Sequence, residues 1–223
     1  MEDKNILSQD KVEKEIQLSE IEGRPANFRG KVLSNLSFHG RNLKTGLDFE
    51  SAIILGSVFL ENTSIGGDLN LNRIIIKGSF YFGSSNLNGD LNFQDGNVKG
   101  MVNLVGSNIK GNLNFQGLTI NGFLGLAKTK VKGNLNFEKI KVSDSYNASL
   151  VIKGDVYLRN TFINGYLNME KGSMEGSLDL SNALIGKEVN LKDTVIQDSL
   201  ILKQAKIQGE LIDEGIQYKH IIR

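Results

Sequence analysis

Histidine is the side chain that most readily moves protons near neutral pH, and this chain holds two, His39 and His220. Cysteine is absent, so thiolate catalysis, thiolate metal ligation and disulfides are all excluded. Carboxylate chemistry would need two acids held together. Asp68 and Asp90, twenty-two residues apart, are the pair to consider, because stacked carboxylates repel and one pKa then rises. The same series continues as Asn112 and Asn134, which favours a structural ladder over a tuned catalytic pair. Two further groups bear on binding. Asn70, Asn92, Asn114 and Asn136 recur at the same interval, and stacked amides can hydrogen-bond along a column without any ligand. Lys128, Lys130, Lys132, Lys139 and Lys141 cluster in sequence, followed by Asp144 and Tyr146. These seven are the partner-binding candidates, although lysines that protect strand edges explain the cluster equally well.

What must position these residues is a repeat. Ile109 to Phe115, Ile120 to Leu126 and Val131 to Phe137 follow one another at an eleven-residue step. The first, fifth and seventh positions of each unit are apolar, which predicts a short strand with one buried face. The third is usually glycine, expected to serve a bend by its backbone freedom. The tenth is often small, as at Ala52, Ser85, Thr161, Ala183, Thr194 and Ala205, and is also expected to face inward.

Gly67 to Leu71, Gly89 to Phe93, Gly111 to Phe115 and Gly133 to Phe137 are more alike than adjacent units are. Two units therefore make one turn of a solenoid, with residues twenty-two apart above one another. Phe93, Phe115 and Phe137 then form an internal column. Gly66-Gly67 and similar pairs are bends of this repeat, so they do not read as phosphate loops.

The arrangement resembles the pentapeptide-repeat family over roughly Ile21 to Ile216. That resemblance implies an all-β, single-stranded, right-handed, four-sided β-helix, here with about 22 residues per coil. The chain departs from the family in joining one five-residue side, such as Ala183 to Lys187, to one six-residue side, such as Glu188 to Asp193.

Residues 1–20 lack the repeat and read as a tail or capping helix, started near Asp10 and Glu13 with Val12 and Ile16 on one side. Residues 21–217 carry the repeat. Its first unit starts at Ile21, puts Pro25 where leucine is expected, and the second starts at Val32. A break near 142–151 predicts a bulge or protruding loop, a common place for function on a rigid scaffold. Asp213 stands where a core residue belongs, so the helix should end there. Residues 218–223, with Tyr218, Ile221 and Ile222, are expected to fold over the last coil or meet another subunit.

Formal net charge is +1, from 26 Lys plus Arg against 25 Asp plus Glu, so no broad field attracts nucleic acid. No segment has the length and apolarity of a signal peptide or membrane span. A cytoplasmic protein without cofactor or catalytic site is expected, working as a protein-interaction surface or scaffold. The resemblance adds one alternative, a duplex-DNA mimic that binds a type II topoisomerase such as gyrase; another, a self-assembling scaffold, rests on the two solenoid ends, and the resemblance implies a homodimer through one of them.

Overall fold

The computed structural model describes residues 6–142, 146–147, 151–152 and 154–223, with the backbone alone at 146 and 147. The chain winds as a β-solenoid whose short strands stack into four parallel sheets of ten, nine, nine and eight strands. Each turn places one strand in each sheet, so the four sheets form the first to fourth faces, in the order in which the chain visits them. A typical turn runs through Leu113–Asn114, Thr119–Ile120, Leu124–Gly125 and Lys130–Val131.

Vertical register is as the repeat predicts. Leu69, Leu91, Leu113 and Leu135 pair successively at twenty-two-residue intervals. Phe93, Phe115 and Phe137 are fully buried, with neighbouring rings 5.7 and 5.3 Å apart. Strands only two residues long suffice because each apolar residue is held by the coils above and below.

Three expectations about individual positions need correction. The third-position glycines do not occupy the left-handed region; Gly111 is needed because a Cβ there would lie 2.7 Å from the Gly89 backbone one coil away. The left-handed residue is the ninth, at a corner, and is usually not glycine: Asn62, Ser84, Lys128 and Lys139 all adopt φ near +55 to +60°. At the start of the repeat, the buried residues are Ala26 and Leu33 rather than Pro25 and Val32. Leu33 pairs with Ile54 at twenty-one residues and Leu36 with Val58 at twenty-two, so one residue is missing between Leu33 and Leu36.

The break near 142–151 is a second such shortfall. Tyr146–Asn147 stays in the third face, paired with Leu124–Gly125 and Leu167–Asn168. Only residues 143–145 and 148–150 separate it from the strands on either side. The regular turn before it uses 121–123 and 126–129, one residue more, and the expected bulge or loop falls outside the described residues. Residues 143–145 and 148–150 themselves, with Asp144 among them, lie outside the described residues.

The two ends differ. Helix α1, Gln9–Glu22, packs Val12, Ile16 and Ser19 against the first coil and ends at Gly23 in a left-handed cap. Ile21 belongs to this helix, 82% exposed, and does not begin the repeat. The Glu15 carboxylate accepts the Asn27 N–H and Glu20 accepts the Lys44 N–H, while Ile6 bridges to Val32. Strand edges of the first, fourth and second faces are thereby engaged. At the other end Asp213 is exposed and Leu211 half-buried, yet the winding continues. Gln217 bridges to Val195, and His220–Ile222 adds a strand beside Ser199–Ile201. The last residues lengthen the first face instead of folding over the end, leaving Ile222 46% exposed.

Candidate functional site

The catalytic inventory is not assembled. His39 follows a third-face strand of the first coil and His220 opens the last strand of the first face, at opposite ends of the rod. Asp68 and Asp90 do lie one coil apart, and the Asp68 carboxylate accepts the Asp90 N–H at 2.8 Å. Asp90 accepts from Asn112, Asn112 from Asn134, Asn134 from Asp155, and Asp155 from Ser177. Side-chain oxygens at this corner thus bind the backbone of the next coil, which is the ladder role that the alternation of Asp and Asn suggests. Among the described residues no cluster of His, Asp and Glu could hold a metal ion, and no helix is long and apolar enough to cross a membrane.

The five lysines are all exposed but are not one patch. Lys130 is on the fourth face and Lys141 on the second, which the first and third faces separate. Lys128 and Lys132 flank the fourth face, and Lys139 occupies the corner between the first and second. Residues adjacent along a solenoid are carried around it, so closeness in sequence disperses them. Tyr146 lies on the third face by its backbone.

Sequence reading missed an internal column. Thr63, Ser85, Ser107, Thr129 and Thr194 are buried, and their hydroxyls donate to the carbonyls of Phe38, Leu60, Phe82, Leu104 and Met169 in the preceding coil at 2.6–2.8 Å. Thr161 donates likewise to Phe137 at 2.9 Å. Only the small size of the tenth position was legible; the hydroxyl bond explains why threonine and serine share it with alanine.

Two outward surfaces stand apart. In the first coils Val32, Ile53 and Ile75 stack on the outside of the second face, and Phe59 stacks on Tyr81 on the third, 5.3 Å apart and nearly parallel. Leu55, 44% exposed, stands on the corner between them, and Ile75 is 37% exposed. On the first face a groove of about 410 Å³ is lined by Asn92, Asn114, Asn136, Tyr157, Arg159 and the corner ladder. The amide oxygens of Asn114 and Asn136 each accept the N–H two residues ahead, from Gln116 and Glu138. These two oxygens bond locally, whereas the Asn70 amide also donates to Asp48 one coil away at 3.1 Å, so the expected bonding along the column is present at its start. Tyr157 donates to Asp155 at 2.8 Å, and this bond, with burial second, raises its pKa. The Arg159 guanidinium lies 4.9 Å from the centre of the Tyr157 ring and 3.8 Å from both Glu138 and Asp179. No protein-family model, curated protein or solved structure matches the chain at a significant level.

Proposed function

We infer that this chain is a non-catalytic scaffold that binds another protein through the apolar wall of its first coils. The observation that carries this reading is that wall. Outward strand positions contribute nothing to the core, yet Val32, Ile53, Ile75, Phe59 and Tyr81 occupy five of them with Leu55 between. Leu55 and Ile75 are exposed and the other four half-buried; a contiguous outward apolar surface of this kind marks an interface, and aromatic residues are typical of its centre. The repeat's resemblance to the pentapeptide-repeat family, of which this would be an eleven-residue variant with the same right-handed winding, supports a binding role over an enzymatic one. A cytoplasmic location is consistent with that role. The reading as a duplex-DNA mimic for a type II topoisomerase requires an acidic face, and the first-face column has carboxylates only at Asp48 and Asp179.

The test is chemical crosslinking and capture from native lysate with wild type, Ile75→Lys/Tyr81→Ser and Lys130→Glu. A protein retained by wild type and Lys130→Glu and lost from the double variant is expected. Equal retention by all three, or no protein captured by any, overturns the reading.

Self-assembly is favoured by a different observation, the contrast between an amino-terminal edge engaged by α1 and a carboxy-terminal edge with exposed Ile221 and Ile222. Unpaired parallel strands beside apolar side chains invite a second chain.

A further inference from the structure

The geometry points to the first-face groove as a binding site for a linear, neutral polysaccharide. The case begins with what the fold requires of this column. At Asp48 and Asp179 a carboxylate oxygen accepts the N–H two residues ahead, from Glu50 and Ser181, just as the amide oxygens of Asn114 and Asn136 do. The turn needs an oxygen and is satisfied by aspartate. The amide nitrogens of Asn114 and Asn136 exceed that need and have no acceptor within the described residues. Because each oxygen is pinned, each Nδ2 group is turned out of the turn, giving donors one coil apart.

Donors at that interval, roughly 4.8 Å, are spaced close to the length of one pyranose ring, so successive sugars of an extended chain could each offer a hydroxyl oxygen. Asn134 adds a parallel donor: its oxygen accepts the Asp155 N–H, and its nitrogen has no partner among the described residues. The groove ends at Tyr157, one coil beyond Asn136 in the same column. Its ring is half-buried and held at both margins, by the hydroxyl bond to Asp155 and by Arg159. An aromatic ring fixed beside polar donors suits the apolar C–H face of a sugar. Arg159 is set between Glu138 and Asp179, and its Nε has no hydrogen-bond acceptor among the described residues. Arg159 is the one cation among Asp90, Glu138, Asp155 and Asp179, and this surplus of negative charge selects hydroxyl oxygens over phosphate or uronate.

Affinity gel electrophoresis with soluble mixed-linkage β-glucan, xylan, glucomannan, glycogen and the acidic polymer alginate tests this, with titration calorimetry on a hexasaccharide of any polymer that retards migration. Retardation by at least one neutral polymer is expected. Asn114→Asp/Asn136→Asp keeps the turn oxygens and removes the donors, so binding should weaken about tenfold with an unchanged far-ultraviolet spectrum. Tyr157→Ala should weaken it comparably, and Asn108→Asp on the fourth face should not. Retardation by alginate alone, by no polymer, or equally by the wild type and the Asp variants overturns the proposal; in the last case the amides serve only to avoid stacked negative charges.

Discussion

At the scale of single residues, the buried hydroxyls are the least expected feature and the easiest to test. Thr129 donates to the Leu104 carbonyl one coil away at 2.8 Å. Valine has nearly the same shape without the donor, so Thr129→Val should lower stability by about 1 kcal/mol in urea unfolding with an unchanged slope. Thr129→Ser should recover most of the loss. Apolar core positions were legible because leucine and phenylalanine have one reason to recur. The tenth position was harder to read, since size and hydrogen bonding select overlapping residue types. The groove at Tyr157 was not legible either, because the single tyrosine joins the asparagine column across a twenty-one-residue step and breaks its spacing.

At the scale of the corner and the helix, glycine falls into two classes that the sequence does not distinguish. Gly111 is confined by the backbone of Gly89, whereas Gly106 has φ +75° and its added Cβ would meet only ordinary contacts at 3.6 Å or beyond. Gly111→Ala should therefore cost about 1–3 kcal/mol through overpacking. Gly106→Asn should be neutral or stabilise by about 0.5 kcal/mol, since unfolded-chain entropy falls and Asn62 already adopts this conformation. Thermal unfolding of the two variants checks the contrast. Helix α1 supplies a pH-dependent clamp. Arg24 holds the Glu15 carboxyl below its ordinary value of 4.5, opposed by burial and aided by the Asn27 N–H. A depressed folded pKa means that stabilisation is complete above 4.5 and disappears as pH falls through the folded value. Glu15→Gln should lower the melting temperature at pH 7, and its difference from wild type should shrink steadily on acidification below that point. The apolar pair Val12 and Ile16 located the helix, although its N-cap is Ser8, without a side-chain hydrogen bond, and Asp10 lies inside the first turn; the last turn was misread because Ile21 falls in phase with the repeat.

For the whole molecule, each coil touches only its neighbours, so stability is close to a sum over interfaces between coils. The shortfall after Leu33 is absorbed at a corner, pairing across 130–151 is likewise one residue short, and the sheets remain continuous, which is why an eleven-residue reading fails there in phase without failing in architecture. Dispersal of the lysines has the same origin, since winding sets which residues meet. The exposed carboxy-terminal edge should make wild type self-associate with increasing concentration in sedimentation velocity, and Ile221→Lys/Ile222→Lys should remain monomeric. A concentration-independent monomer for wild type removes the self-assembly reading.

The engaged strand edges of the first coil and the exposed strand His220–Ile222 give the rod a direction of wear. Under tension or heat, turns should be shed in sequence from the side of Arg223, like thread leaving a spool, with the coil beneath α1 the last to release. Backbone amide exchange would record this as protection rising progressively toward the amino terminus.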